Sequence, residues 1–153
     1  MHHSHLYFAF GSLLDPNRLD AIAPGAEFRF TAHFPEARLA FVDHHELGPV
    51  PTLVEDPGHT VWGAVFAVSD SDAEQIAIYE KSEGRVPGWS PRAVDREGNK
   101  HDCLVFVADG SRPTDLHPNL EYLTSMLRGA RRWSLPAGWI MALEDLGEDS
   151  LLI

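Results

Sequence analysis

Two carboxyl groups, Glu80 and Glu83, lie near the middle of the chain at the end of a segment with helical periodicity. Ala73 and Ile76 share one face of this predicted helix, and Glu83 returns to that face seven residues after Ile76. Burial and the partial negative charge at a helix C-terminus both favour the neutral form of Glu83, and a charged Glu80 adds repulsion. Such a carboxyl group suits general acid and base catalysis near neutral pH. The alternative is a solvated helix end, with Glu80, Lys81 and Glu83 at the surface.

A second candidate site follows the first apolar run of the chain. Residues 6–10 are apolar and mostly aromatic, which predicts a buried strand, and Gly11 and Ser12 end it. We expect the glycine to take a positive φ angle and to leave backbone N–H groups uncovered by side chains. Exposed donors of this kind can hold a small anion. The alternative is a strand followed by an ordinary turn, because Gly-Ser after an apolar run is common.

Other residue types that often carry chemistry are predicted to have structural roles. His44, His45, Glu46 and His59 lie in predicted loops without the fixed spacing of metal ligands, so no metal site is expected. Cys103 lies in a predicted strand with no histidine partner in the sequence pattern, which favours a small core residue over a nucleophile.

The elements that must position these groups are strands in the first part of the chain and helices at its end. Asp15-Pro16 is a helix start, Ser71 with Glu74 fits a capping box, and Gly98-Asn99 fits a hairpin turn. The predicted strands cover 6–10, 28–34, 38–42, 61–68, 92–95 and 103–108. The predicted helices cover 16–23, 71–82, 119–130 and 136–147. Loops are predicted at 43–51 and 85–91, and a turn is predicted at 56–59. This order predicts a single α+β domain over residues 1–153, a mixed, barrel-like β-sheet with surrounding helices.

The predicted helix over 119–130 carries its apolar residues in one stripe. Leu120, Leu123, Thr124 and Leu127 have helical spacing, and Tyr122 falls one position off this stripe, where it either lines a pocket or packs. A basic cluster follows in an acidic chain, which favours a solvated face or partners for nearby carboxylates; its members are Arg128, Arg131 and Arg132.

The charge balance of the chain excludes whole classes of partner. Its 153 residues include 12 Lys and Arg against 23 Asp and Glu, a formal net charge of −11. Nucleic-acid backbones and anionic membrane surfaces are recognised mainly by basic residues, so neither is an expected partner. A single cysteine allows no internal disulfide and favours a reducing compartment, and no apolar run predicts a secretory signal or a membrane span. A cytoplasmic location is therefore expected.

Several motifs, taken in their order along the chain, resemble the γ-glutamyl cyclotransferase superfamily. The resemblance spans roughly residues 7 to 146, and its opening loop is less specific than the ordered combination. The motifs are Tyr7-Phe8-Ala9-Phe10-Gly11-Ser12 in the opening strand and loop, Val61-Trp62-Gly63-Ala64-Val65-Phe66 in the central strand, Glu83-Gly84, and Asn119-Leu120-Glu121-Tyr122-Leu123, Arg128-Gly129-Ala130 and Leu135-Pro136 in the last helices.

The resemblance implies a cofactor-independent enzyme with Glu83 as its catalytic residue and a small γ-glutamyl amine or peptide as its substrate. Backbone amides of the opening loop would hold the substrate α-carboxylate, and Glu83 would move a proton from the α-ammonium to the leaving amine. The products would be 5-oxoproline and a free amine or amino acid, without a metal. A homodimer and a place in glutathione metabolism are also implied. The residues assigned to substrate binding are Tyr7, Phe8, Ala9, Phe10, Gly11, Ser12, Phe106 and Tyr122.

The chain departs from the family pattern at three positions of this predicted site. Phe10 stands where the family usually has tyrosine, Leu13 where the best-known members have asparagine, and Phe106 in the position of a substrate-binding tyrosine. Fewer hydroxyl groups in the pocket imply either a different leaving group or a loss of turnover. Two hypotheses therefore stay open: a cyclotransferase, and a non-catalytic member that binds a small carboxylate or a protein partner through the same pocket.

Overall fold

A computed structural model describes residues 3–109, 112–115 and 118–151. Residues 110, 111, 116 and 117 lie outside the described part. The strands are β1 (His5–Ala9), β2 (Glu27–His44), β3 (Gly48–Val68), β4 (Arg85–Pro87), β5 (Arg92–Asp95), β6 (Lys100–Asp102) and β7 (Phe106–Ala108); the helices are α1 (Pro16–Ile22), α2 (Asp70–Ser82), α3 (Leu120–Arg132) and α4 (Ala137–Leu151), with a 3-10 turn at Ser12–Leu14.

The larger sheet is antiparallel and curled, with strand order β1-β3-β2-β5-β6, and β4 pairs with β7 in a second, two-stranded sheet. The chain after β6 returns to the free side of β1 through one parallel bridge between Tyr7 and Leu104. The Phe8 N–H donates to Leu104 O at 3.0 Å, and the Leu104 N–H donates to Leu6 O at 2.7 Å. This bridge spans the opening without completing a barrel, and the predicted α+β fold with a barrel-like sheet is confirmed.

The two faces of β1 meet different hydrophobic clusters, which explains why the first strand is apolar throughout. Tyr7 and Ala9 pack among helix residues such as Met126. Phe8 and Phe10 point the other way, into the interior of the curled sheet. Alternate residues of a strand face opposite sides, so a strand between two cores must be apolar on both. β3 has the same character over residues 61–68 and pairs with β1 and β2, which confirms the predicted central strand.

The prediction of a loop at residues 43–51 is wrong, because β2 and β3 form one long hairpin whose ladder continues to His44 opposite Gly48. The predicted strands 28–34 and 38–42 are parts of the same β2. They are separated by Glu36, which has a φ of 56°. Opposite Glu36, the predicted turn at 56–59 bulges from β3, and the Gly58 N–H donates to the Glu36 carboxylate at 3.0 Å. The turn residues thus bend a strand instead of ending it.

Three helix boundaries also differ from the prediction. Ser69, not Ser71, caps α2, since its hydroxyl accepts from the Asp72 N–H at 3.2 Å. α3 continues through Gly129 and α4 continues through Gly147. None of the helices in the described part of the chain combines the length and the apolar character that crossing a bilayer requires.

Candidate active site

The C-terminus of α2 turns the chain back on itself and places three charged side chains together. The Glu83 N–H donates to Glu80 O at 3.1 Å, and the Gly84 N–H donates to Lys81 O at 3.0 Å. Gly84 has a φ of 85°, a conformation that glycine adopts without strain after a helix. The next residue, Arg85, is therefore directed back against Glu80 and Glu83.

All three of these side chains are buried. Glu80 is 4% exposed, Glu83 is 6% exposed and Arg85 is 3% exposed. The interpretation of Glu83 as an inward-facing residue is confirmed, and the alternative of a solvated helix end is wrong for both glutamates. Charged groups are almost never buried to this extent unless they are paired. The burial of the two carboxylates thus depends on the guanidinium.

Arg85 joins the two carboxylates to the main chain of β3. Its Nε donates to Glu80 Oε2 at 3.1 Å, its Nη1 donates to Pro51 O at 2.9 Å, and its Nη2 donates to Glu83 Oε1. The fork of a guanidinium suits several acceptors in one plane, which a lysine cannot match. We name Glu80, Glu83 and Arg85 the charged triad.

Tyrosine hydroxyl groups surround the charged triad. Tyr122 of α3 donates its hydroxyl hydrogen to Glu83 Oε2, and the Tyr79 hydroxyl lies 2.8 Å from Ser12 Oγ. Burial raises the pKa of Tyr79 to about 12. Burial, and after it the hydrogen bond to Glu83, raises the pKa of Tyr122, and burial raises the pKa of Tyr7. These phenols therefore stay protonated near neutral pH and can donate to carboxylates.

Glu80 differs from an ordinary surface carboxyl group. Burial raises its pKa, the Arg85 guanidinium opposes this effect, and the Glu83 carboxylate adds to it. Two carboxylates share one cation here, so the second negative charge is not fully compensated. The triad therefore has a tendency to hold one additional proton.

The loop after β1 has a different backbone from the one expected. Gly11 has a φ of −111°, so the predicted positive φ is wrong. A Cβ atom on this residue would lie 3.1 Å from Pro51 Cγ, a tight contact that would require the proline ring to shift. Leu14 and Asp15 donate their N–H groups to the carbonyls of Gly11 and Ser12 at 3.0 and 3.1 Å. The first N–H groups of such a turn have no acceptor inside it.

The loop and the charged triad face a common small cavity of about 10 Å³, which is about the space of one water molecule. Its lining residues are Tyr7, Phe10, Gly11, Ser12, Leu13, Glu80 and Arg85. Glu83 does not line this cavity directly, but it is bonded to the Arg85 guanidinium that does. The predicted loop and the predicted carboxyl groups thus converge on one place.

The remaining predicted site residues lie around this cavity or behind it. Phe106 packs beside Tyr7, with ring centroids 6.3 Å apart. The Phe8 ring packs against Phe34 inside the curled sheet, and Ala9 is fully buried in the core between sheet and helices. Phe8 and Ala9 are therefore close to the site through the main chain rather than through their side chains.

Arg85 and Tyr79 belong to the site but are absent from the sequence prediction. Arg85 was assigned to a loop, although it begins a short strand. A signal was available, because a cation directly after two acids and a glycine is a natural partner for those acids once they are buried. Tyr79 lies on α2 three residues after Ile76, and only its contact with Ser12 shows that its hydroxyl reaches the loop.

The other candidate groups have structural surroundings. Within the described ranges, no group of three or more His, Cys, Asp and Glu side chains could hold a metal ion. Cys103 is buried in the interior of the curled sheet, and burial raises the pKa of its thiol to about 12, which confirms a core residue. Each arginine of the basic cluster has a partner. Arg128 forms an ion pair with Asp15 at 2.5 Å, Arg131 forms one with Glu144 at 2.8 Å, and the Arg132 guanidinium lies over the Trp133 ring.

The fold and the site define a small α+β protein in which a curled sheet brings a buried carboxylate pair to an amide-lined loop. The family model described as gamma-glutamyl cyclotransferase, AIG2-like, matches residues 7–135. The chain belongs to this family.

Relatives of known name agree with this assignment. Gamma-glutamylcyclotransferase of Bos taurus is 28% identical over 153 residues, covering 94% of this chain and 79% of the relative, and that of Homo sapiens is 25% identical over 143 residues, covering 87% and 73%. A solved structure named gamma-glutamyl cyclotransferase has a TM-score of 0.83 at 24% identity, covering 92% of this chain and 86% of its own. YkqA from Bacillus subtilis has a TM-score of 0.78 at 22% identity, covering 94% and 54%. These two structures support the fold.

Proposed function

We propose that this protein is a cyclotransferase that converts a γ-glutamyl amine or peptide into 5-oxoproline and a free amine or amino acid. The observation that carries the proposal is the burial of Glu83 beside Tyr122 and Arg85, within the group of residues that faces the loop after β1. Buried carboxyl groups with a specific charge partner at a cavity are candidates for acid and base catalysis. The family supports the reaction class, and the geometry supports Glu83 as the residue that performs it.

The reaction needs one proton carrier and a substrate held in a folded conformation. Glu83 takes a proton from the substrate α-ammonium, and the freed nitrogen attacks the γ-carbonyl carbon, so that a carbon–nitrogen bond forms within the substrate. The bond to the leaving nitrogen then breaks as Glu83 returns the proton to that nitrogen. The new ring nitrogen loses one further proton, which ends on the released amine, so that the products are the neutral lactam and an ammonium group. Atoms and charges balance without a cofactor. Holding the two ends of one molecule together supplies much of the rate, and the proton transfers add roughly 10²–10⁴-fold.

Glu83→Gln tests this assignment, because glutamine preserves the shape and removes the proton carrier. The wild-type protein is incubated with a panel of γ-glutamyl amines and peptides, and 5-oxoproline is measured. We expect the variant to lose about 10²–10⁴-fold in kcat, with its circular dichroism spectrum unchanged. Glu144→Gln is the matched control, because Glu144 is a partly exposed carboxylate paired with Arg131. A folded Glu83→Gln protein with wild-type turnover would exclude Glu83 as the acid and base.

A second function, the binding of a small carboxylate or a protein partner without turnover, is favoured by one observation. The cavity at the loop holds about one water molecule, and Phe10 and Leu13 line it with apolar groups. Absence of turnover across the panel, together with saturable binding of a γ-glutamyl compound measured by calorimetry, would support this alternative and contradict the enzymatic proposal.

The cellular setting belongs to the same proposal. We place the protein in the cytoplasm, in glutathione metabolism, with small molecules rather than nucleic acids or membranes as its partners, and as a homodimer. The net charge of −11 supports the exclusion of nucleic acid. Light scattering of the purified protein measures its oligomeric state directly, and a monomer at micromolar concentration would contradict the homodimer.

A further inference from the structure

Arg85 is the residue of the charged triad for which neither the family resemblance nor the proposed reaction provides a role. Its guanidinium is held by Pro51 O on β3 and by Glu80 on α2, both of which are fixed by the fold. The third contact, to Glu83, joins it to the proposed catalytic carboxylate. A guanidinium has more N–H donors than these three contacts use. Arg85 can thus keep two anchors while its third partner changes.

The charge balance of the buried site indicates what that new partner is. With Glu80, Glu83 and Arg85 ionised, the triad carries one excess negative charge in a region closed to water. A γ-glutamyl group brings an ammonium and a carboxylate on the same carbon atom. If the ammonium pairs with Glu83, the carboxylate needs a cation nearby, because an unpaired charge in a buried site is costly. When Glu83 leaves Arg85 to pair with the ammonium, the Arg85 guanidinium is free to pair with this carboxylate.

The position of Arg85 agrees with this exchange of partners. Arg85 lines the same cavity as Gly11, Ser12 and Leu13, whose amides are the expected binding groups for the α-carboxylate. The cavity of about 10 Å³ is far smaller than a glutamyl group, so side chains must move when a substrate enters. The ion pair between Arg85 and Glu83 is the contact that must open, because Glu83 has to reach the ammonium.

We propose that Arg85 is a specificity-determining residue that releases Glu83 and binds the substrate α-carboxylate together with the loop amides. In the free protein the Arg85 guanidinium pairs with Glu83. In the substrate complex the ammonium takes the place of the guanidinium at Glu83. The site then selects γ-glutamyl compounds over amides of the same shape that lack the α-carboxylate. This inference rests on the proposed function, since it assigns a residue to the same substrate.

The test compares two substrates that differ only in the α-carboxylate. One is the γ-glutamyl amide that the wild-type protein converts best, and the other is the 4-aminobutyryl amide of the same amine, which closes to 2-pyrrolidinone. We expect Arg85→Met to lower kcat/KM for the first about 10²-fold, mainly through KM, which is the scale of one charge-assisted contact. For the second substrate only the loss that acts through Glu83 is expected, so its kcat/KM falls clearly less than that of the first, and Arg85→Lys is expected to recover part of the preference. Arg131→Met, at an exposed ion pair, is the matched control.

A purely structural role for Arg85 predicts a different pattern. Removing the cation leaves Glu80 and Glu83 facing each other, so Arg85→Met is also made in the Glu80→Gln background and compared with Glu80→Gln alone. Equal losses for both substrates in both backgrounds would overturn the proposal. If the wild-type protein converts no compound of the panel, the proposed function fails, and calorimetry on the wild type decides about Arg85 separately. If the wild type binds the compound with the α-carboxylate more tightly than the compound without it, and Arg85→Met loses this difference, the role proposed for Arg85 is supported. Equal binding of the two compounds by the wild type would reject it.

Discussion

Each carboxylate oxygen of Glu83 has its own donor, and this fixes the orientation of the group. Arg85 donates to Oε1 from the strand that follows α2, and Tyr122 donates to Oε2 from α3. Donors on two different elements restrict rotation of the carboxylate more than two donors from one side chain would. In the proposed reaction the substrate ammonium takes the place of Arg85, and Tyr122 is then the donor that keeps the carboxylate plane fixed while the proton moves between two nitrogen atoms. Within the proposed reaction, Tyr122 is therefore expected to act through the position of Glu83.

Tyr122→Phe tests this positioning role, because the ring can keep its contacts with Val42 and Val50 while the hydroxyl is lost. We expect kcat to fall about tenfold with KM nearly unchanged, since one hydrogen bond to a charged group contributes roughly 1.5–3 kcal/mol. The free energy of unfolding, measured in urea, is expected to fall by about 1 kcal/mol. A variant with lower stability but full kcat would show that the hydroxyl only supports the fold.

Predictions for single residues are correct where helical periodicity alone determines which way a side chain faces. They are wrong where the environment of the residue depends on a neighbour from another part of the chain. Glu83 was recognised as inward-facing because helical spacing alone relates it to Ile76. Arg85 was missed because its direction depends on the reversal at Gly84, whose φ of 85° is not encoded by spacing. The positive φ predicted for Gly11 is wrong, and the tight space at this residue comes from Pro51, a residue on another strand.

At the scale of elements, α3 packs against the 3-10 turn after β1 more closely than most side chains allow. A Cβ atom at Gly129 would lie 2.2 Å from the backbone carbonyl of Leu14. The indole Nε1 of Trp133, just after α3, donates to the same carbonyl at 2.8 Å. This contact holds α3, and with it Tyr122, at a fixed distance from the loop. The glycine thus positions the helix that carries a donor to Glu83.

Gly129→Ala is expected to destabilise the protein by about 1–3 kcal/mol, because the added methyl group must displace backbone rather than a flexible side chain. Loss of the close contact also moves Tyr122, so activity is expected to fall along with stability. Gly138→Ala in α4 is the matched control: its Cβ would meet no atom within 4 Å. Alanine there is expected to be neutral or stabilising by up to about 1 kcal/mol. Urea unfolding of both variants measures the difference, and equal stabilities would contradict the packing argument.

The buried face of α3 shows the limit of apolar periodicity. The stripe predicted from leucines is only partly correct, since Leu120 is 45% exposed while Leu123 is fully buried. Besides Leu123, the buried residues of α3 are Tyr122, Ser125, Met126, Gly129 and Ala130. A face that contacts backbone closely needs small residues, and a face that serves a site needs polar ones. Small residues and polar residues both rank low on a hydrophobicity scale, so apolar periodicity predicts neither kind of face.

At the scale of the whole molecule, the fold class followed from the sequence, and the long hairpin did not. Prolines and glycines at 48–51 and 56–58 indicated loops, because such residues usually end strands. In the structure, β2 and β3 continue through them, with a bulge opposite Glu36. Pairing with a neighbouring strand over many residues outweighs a few unfavourable ones. This continuation is what brings Pro51 to Gly11 and Arg85.

The charged triad links the pH of the solution to the stability of the whole molecule through Glu80. In the folded protein, burial raises the pKa of Glu80 above its ordinary value of 4.5. Arg85, Glu83 and Tyr7 are the ionisable groups that act on it, and of these only Arg85 favours its charged form by direct attraction. A raised folded-state pKa stabilises the protein fully below the pKa of the unfolded state, and this stabilisation is lost as the pH rises through the folded-state value.

Glu80→Gln removes this dependence, because glutamine resembles the protonated carboxyl group and cannot ionise. We expect the unfolding free energy of the variant relative to wild type to increase as the pH rises above about 4.5, and to level off once Glu80 is ionised in the folded wild-type protein. Each pH unit between the two pKa values contributes about 1.4 kcal/mol to this increase. Urea unfolding at a series of pH values between about 4 and 8 measures it, with Glu144→Gln, a partly exposed carboxylate, as the control. A difference that stays constant with pH, or that decreases, would show that Arg85 compensates the Glu80 charge completely, and the excess negative charge invoked for substrate binding would then be absent.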